Sequence, residues 1–148
     1  MQLRSLMFRS GVKRAQWLRR NRIFGEIGEN VMIQDYKLPF NPEKVFIGNN
    51  VRLASDVALI THDVSYHVLN NMFGTTEFKE KTGSITIGDN VFIGSKTIIL
   101  YDVKIGNNVI VGAGSVVTRD LPDGSVCAGI PCKKIGDFED FCKKRRNV

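Results

Sequence analysis

Few side chains in this chain have the types and spacing to carry acid–base, covalent or metal chemistry. Both of its histidines, His62 and His67, fall five residues apart in the stretch "ALITHDVSYHVLNN", residues 58–71. They could be a metal pair, a catalytic base with a neighbour, or two polar residues in a loop. A metal site needs three or four ligands, and two histidines supply too few. The three cysteines, Cys127, Cys132 and Cys142, form neither a C-x-x-C pair nor a disulfide framework, and their spacing is wrong for the common zinc patterns. They read as reduced, non-catalytic thiols, and no metal is expected. A neutral imidazole, with an unperturbed pKa of ~6.5, can instead accept a proton from a hydroxyl near neutral pH. Which histidine could do so depends on which one the surrounding elements hold still.

Those elements follow a six-residue clock. Stepping by six from Ile87 meets Ile93, Ile99, Ile105, Val111 and Val117, an unbroken run of aliphatics. Four residues after each of the first five comes Val91, Thr97, Val103, Val109 or Ser115, all small or β-branched. The tetrad I-G-x-N followed by Val recurs as "IGENV" at 27–31, "IGNNV" at 47–51, "IGDNV" at 87–91 and "IGNNV" at 105–109. A second register, Ile47, Leu53 and Leu59, precedes the histidines. A period of six fits neither an α-helix nor simple alternation. It fits a short strand and a tight corner, with positions i and i+4 facing inward together and Gly or Asn supplying the restricted backbone of the bend. Three such units close one coil of 18 residues, stacked on the next at the ~4.8 Å strand spacing. Sandwich strands would return every ~8–12 residues and vary in length. The expectation is therefore an all-β chain built as a parallel β-helix.

The segment "ITIGDNVFIGSKTIILYDVKIGNNVIVGAGSVVTRDLPDGSVCAGIPCKKI", residues 85–135, resembles the hexapeptide-repeat acyltransferases. It is most similar to galactoside, maltose and xenobiotic acetyltransferases and to O-acetyltransferases of bacterial surface polysaccharides. The resemblance covers roughly residues 25–135. It implies a left-handed β-helix of about five coils, a handedness that periodicity alone does not supply. It also implies a homotrimer with active sites between neighbouring columns. The expected organisation is a basic, helical N-terminal segment over 1–24, the β-helix over 25–136 with an extruded loop at 63–84, and a basic C-terminal tail over 137–148.

The clock stops twice. From Ile33 to Ile47 is 14 residues, two more than two repeats, and Pro39 and Pro42 lie between; a bulged corner accounts for this. From Leu59 to Ile87 is 28 residues, four more than four repeats, so "THDVSYHVLNNMFGTTEFKEKTGS" must in part leave the column. His62 lies where the last regular strand meets this excursion, while nothing positions His67, which reads as a polar loop residue. The acyltransferases that the chain resembles place a histidine general base at the matching point. Their usual His-Pro is His62-Asp63 here, a variant resembling the polysaccharide-type members. A γ-carbonic-anhydrase-like site, built on the same fold, would use three histidines.

The chemistry so implied is acetyl transfer from acetyl-CoA to a sugar hydroxyl, with a surface-polysaccharide precursor as one candidate acceptor. His62 takes the hydroxyl proton, the oxygen attacks the thioester directly, and the resemblance assigns the oxyanion donor to the backbone N–H of Ser95 in "FIGSK". Asp63, Glu77 and Glu80 are candidates to orient His62. The resemblance sets the CoA path along Ala113, Thr118 and Arg119, with Lys133 and Lys134 near the nucleotide end. A second arginine often found beyond the first basic residue is Gly136 here, and Lys143, Lys144, Arg145 and Arg146 could substitute. N-acetylation of an amino-sugar nucleotide and a catalytically idle β-helix scaffold are the alternatives.

Composition bounds the partners. With 148 residues, 43% apolar and 24% charged, the chain is sized and composed as one globular domain without a membrane span or signal-peptide core, which suggests the cytoplasm. The net charge of +6 is concentrated at the ends: residues 1–22 hold seven Lys/Arg and no acid. No aromatic-rich motif accompanies these charges, so nucleic acid is not an expected partner. Leu3, Met7, Val12 and Leu18 could line one side of a short basic helix that packs on the column, caps its first coil, or rests on an anionic membrane, with Gly11 interrupting it.

Overall fold

The computed structural model describes residues 8–146 and 148. The chain begins with helix α1 (Gly11–Arg20), then strands β1 (Glu26–Ile27), β2 (Met32–Ile33), β3 (Val45–Ile47), β4 (Val51–Leu53) and β5 (Ala58–Leu59). Next come β6 (His62–Asp63), α2 (Tyr66–Phe73) and β7 (Lys81–Thr82). The repeats resume with β8 (Ile85–Ile87), β9 (Val91–Ile93), β10 (Ile98–Ile99), β11 (Val103–Ile105), β12 (Val109–Val111) and β13 (Val116–Val117). The chain closes with β14 (Ser125–Ala128), β15 (Lys133–Asp137) and α3 (Phe138–Arg146).

The strands stack into three sheets, ordered β1-β3-β8-β11, β2-β4-β9-β12-β14-β15 and β5-β10-β13. Every neighbouring pair in them is parallel except β14 with β15. Val103 pairs with Ile85 and Val109 with Val91, so the chain returns to the same sheet every 18 residues in this stretch. The six-residue aliphatics from Ile87 to Val117 are all buried, as are Val91, Thr97, Val103, Val109 and Ser115 four positions later. Two of those positions are hydroxyls, and both are satisfied: Thr97 Oγ1 and Ser115 Oγ donate to Gly112 O at 3.3 and 2.6 Å.

Glycine and asparagine divide the work of the corners. The asparagine of each I-G-x-N tetrad, not the glycine, takes the left-handed backbone, with φ of 54°, 54°, 57° and 55° at Asn30, Asn50, Asn90 and Asn108. Their side-chain amides form a ladder, Asn30 to Asn50 to Asn90 to Asn108, at 2.9, 3.0 and 2.9 Å. The glycine is needed for space: a Cβ on Gly48 would sit 2.7 Å from Gly88 O in the layer above.

Helix α1 packs on β1 and β2 with Ala15 and Leu18 buried. Gly11 opens this helix behind the Ser10 N-cap instead of interrupting it, and a Cβ there would meet Met32 Cγ at 2.9 Å and Ile33 O at 3.0 Å. Leu3 and Met7 lie outside the described residues. The excursion after β5 is more ordered than a plain loop. β6 and β7 pair antiparallel as a neck, α2 forms its tip, and Gly74 ends α2 in the left-handed conformation. Gly83 N–H donates to Thr61 O at 3.0 Å, so the chain re-enters the column where it left.

Ile99 is fully buried in the middle strand of its sheet, where removing side-chain carbons leaves a cavity the layers above and below hold open. Ile99→Ala should therefore destabilise the fold by about 2–5 kcal/mol, read as a lower denaturation midpoint with an unchanged denaturant slope.

Candidate active site

The first break in the clock builds the wall of a cavity. The third sheet begins at β5, because residues 34–44 swing away from the column where a strand beneath β5 would lie. The gap is a cavity of about 800 Å³, lined on the column side by Leu53 and Val57–Ile60 and on the other by Leu38, Pro39 and Phe40. His62 stands at its edge. The far end of the wall is fastened to the residue before that histidine: Asn41 N–H donates to Oγ1 of the buried Thr61 at 3.1 Å. Phe40, 70% exposed, stacks on the His62 ring with centroids 4.4 Å apart.

His62 Nδ1 is shut off from solvent with no hydrogen-bond partner among the described residues, which leaves Nε2 as the nitrogen able to meet a ligand. None of the three carboxylates suggested by sequence hydrogen-bonds this ring. Glu77 and Glu80 are exposed on the excursion. Asp63 is committed elsewhere: Oδ1 accepts from Ser65 N–H at 2.6 Å and Oδ2 from Tyr101 Oη at 3.2 Å. The Ser65 amide, with help from its side chain and the Tyr101 hydroxyl, holds the Asp63 carboxyl below the usual aspartate value. Local desolvation, reinforced by the same bond to Asp63, raises the Tyr101 phenol. Lys81 completes the neck with an ion pair to Asp102 at 2.6 Å. His67 belongs to α2, where it is exposed and stacked on Tyr66 at 4.1 Å.

The remaining predicted site residues divide between two edges of the third sheet. Thr118 and Arg119 follow β13 as His62 follows β5, and the register Ala58–Ile98–Val116 sets them along one edge. Ser95 and Ala113 precede β10 and β13 and lie on the opposite edge, where Gly114 N–H donates to Ser95 O at 2.8 Å. Ser95 N–H itself bonds no carbonyl among the described residues. Lys133 pairs with Ala128 at the top of this second edge. It makes no ion pair among the described residues, whereas Lys134 is held by Asp137 at 2.7 Å. One chain thus sets His62 and Ser95 on opposite edges of this sheet and does not bring them together.

With this geometry in place, the relatives are informative. The sequence profile of the bacterial transferase hexapeptide (six repeats) family matches residues 84–119. The putative acetyltransferase YvoF of Bacillus subtilis is 31% identical over 127 residues, 84% of this chain and 67% of that protein. The chain belongs to the hexapeptide-repeat acyltransferases. Protein CapG of Staphylococcus aureus is 44% identical over 100 residues, 68% of this chain and 56% of its own length. A galactoside acetyltransferase solved in complex with coenzyme A superposes with a TM-score of 0.63 at 26% identity, covering 96% of this chain and 82% of that one. The chain spans 56% and 67% of the length of the two sequence relatives.

Within this member of the family, the cavity-lining residues that sequence reasoning passed over are those of the first break. Reading residues 34–44 as a bulged corner without function missed Leu38 and Phe40. An aromatic flanked by Pro39 and Pro42 was the available signal. The cysteines lie away from the cavity. Cys127 is fully buried on β14, and burial pushes the Cys132 thiol up to about 11.

Because Asp63 is lowered, its contribution to stability is in place above the ordinary aspartate value and is lost as pH falls through the lowered one. Carboxyl NMR titration should find its midpoint below that of an ordinary aspartate, and Tyr101→Phe should move it upward. An unmoved midpoint would mean that the phenol does not hold this carboxylate.

Proposed function

We propose that this chain is an acetyl-CoA-dependent O-acetyltransferase acting on a sugar hydroxyl, with His62 as general base. The observation that carries this reading is His62 at the edge of the cavity, with Nδ1 enclosed and Nε2 left to face an acceptor. Neutral Nε2 takes the proton of the acceptor hydroxyl as its oxygen attacks the thioester carbonyl. A tetrahedral oxyanion forms, the carbon–sulfur bond breaks, and CoA leaves as thiolate, collecting the proton from the imidazolium. The Ser95 N–H is the proposed oxyanion donor. It comes from a corner backbone fixed by the layers around it, so it needs no reorganisation as charge develops. Acetyl-CoA would run along Ala113, Thr118 and Arg119, with Lys133 near the nucleotide phosphates. The exposed ring of Phe40 offers a flat apolar face to the C–H side of a sugar. A surface-polysaccharide precursor is the acceptor that fits the resemblance, and the cytoplasm is the compartment that supplies acetyl-CoA.

Two half-sites on opposite edges of one sheet support a trimer, in which the His62 edge of one copy meets the Ser95 edge of the next. The excursion supports it too: Val68, Met72 and Phe73 on α2 are exposed, an apolar face that a second copy would cover. The column is read as left-handed, of about five coils, over residues 25–136.

A thiol-release assay with acetyl-CoA and a panel of saccharides is the direct test, and a protein that binds no acetyl-CoA sinks the proposal. His62→Ala should slow turnover by about 10²–10⁴-fold. Ser95→Ala keeps the N–H and should be tolerated better. Ser95→Pro deletes the N–H at a position before left-handed Lys96 (φ 61°), where a type II turn accepts proline. It should cost about 10²–10³-fold.

The shared site makes a separate prediction. Inactive His62→Ala chains and inactive Ala113→Trp chains, unfolded together and refolded, should regain activity by pairing an intact edge from each. Activity that stays absent in the mixed trimers would place the whole site within one chain.

A further inference from the structure

Arg14 is the one charged side chain among the described residues that is fully buried, at 0% exposure, and no carboxylate pairs with it. Burying an arginine without an acid is costly unless its donors find other acceptors. Here the two terminal nitrogens find backbone carbonyls, while the buried Nε has no partner among the described residues. Nη1 donates to Ile33 O at 2.6 Å and to Gln34 O at 2.7 Å, and Nη2 donates to Phe8 O. The guanidinium also lies 3.9 Å from the centroid of the Tyr36 ring. These contacts fall where the chain leaves the column: Gln34 N–H still bonds Leu53 O in the layer above, and by Tyr36 the backbone has turned toward the cavity wall.

We propose that Arg14 is a positioning residue that sets the direction of the 34–41 wall and, through Phe40, the setting of His62; as a statement about acceptor binding it rests on the function proposed above. The wall is tied at two points. At its start, Arg14 holds two consecutive carbonyls and one aromatic ring, which fixes both the path and the rotation of the chain. At its end, Asn41 is held by Thr61, the residue before His62. Between the ties, Leu38 packs on the core and Phe40 stacks on the imidazole. The planar fork of arginine suits this task because it addresses two carbonyls and a π-face at once, which a lysine ammonium does not. Helix α1 in this view does more than cover the first layer: it carries the clamp that shapes the acceptor side of the site, while the cofactor residues lie on layers it does not touch.

The test compares Arg14→Met, which keeps the length and removes the donors, with Tyr36→Leu, which leaves the carbonyl bonds and removes the ring. Tyr36 is partly exposed, so its replacement keeps the question answerable if Arg14→Met fails to fold. In the ligand-free protein, amide exchange over residues 34–41 should rise about tenfold or more in Arg14→Met and about threefold in Tyr36→Leu, with β9–β12 unchanged. The His62 ring protons should lose the shift that the Phe40 ring current imposes. With the acceptor found by the saccharide panel, KM for that acceptor should rise about tenfold while KM for acetyl-CoA stays within about twofold. Unchanged exchange and ring shifts overturn the clamp. A KM for the acceptor that stays put, or rises together with that for acetyl-CoA, overturns its role in acceptor binding. Absence of any acceptor would count against the proposed function, while exchange and ring shifts would still decide the clamp.

Discussion

In-register stacking governs the rest of this molecule. Inner strands of the three sheets hydrogen-bond the equivalent strands of the layers above and below, and stacked corners bond one another. The interior is therefore a set of columns of like residues, with aliphatics over aliphatics. At the corner of the I-G-x-N tetrads, glycine stacks on glycine and left-handed asparagine on left-handed asparagine. Such a ladder has no slack. A single added residue would turn every following side chain to the wrong face, so extra residues must leave the column and return to the point of departure. Gly83 bonding back to Thr61 is that requirement met in atoms.

The residues assigned to acceptor and base in the proposed function collect where the ladder is broken. The 34–44 segment and the 62–82 excursion are far apart in the count of repeats but converge on one corner, because Asn41 and His62 are both fastened through Thr61. One break contributes the cavity wall and Phe40; the other contributes His62 and a neck braced by Asp63, Tyr101, Lys81 and Asp102. Held between a rigid strand and a braced neck, the His62 ring loses little freedom on binding, and in the proposed reaction that orientation lowers the entropy cost of attack. Asp63 serves this arrangement by fixing backbone at Ser65, not by touching the imidazole.

The third sheet has the opposite role, as a spacer. Its short strands separate an edge with His62, Thr118 and Arg119 from an edge with Ser95, Ala113 and Lys133. A rigid column cannot fold one edge onto the other, so the residues that the proposed reaction assigns to one site remain apart within a chain. Association of copies, as proposed, joins them without bending any element.

The sequence by itself determined the periodic part of the protein. The step of six from Ile87 to Val117, the recurring I-G-x-N tetrads and the abrupt stop after Leu59 specify stacked parallel strands, buried positions and the point where His62 leaves the column, because each depends only on local repetition. Tertiary structure decided what repetition does not encode. Arg14 reaches Ile33 and Gln34, Phe40 reaches His62, and Tyr101 takes the carboxylate that adjacency alone would have given to the histidine. Those contacts join residues about 20–40 positions apart through segments outside the register. Their partners are set by where irregular backbone comes to rest against the column, and that resting place follows from the packing of the whole chain.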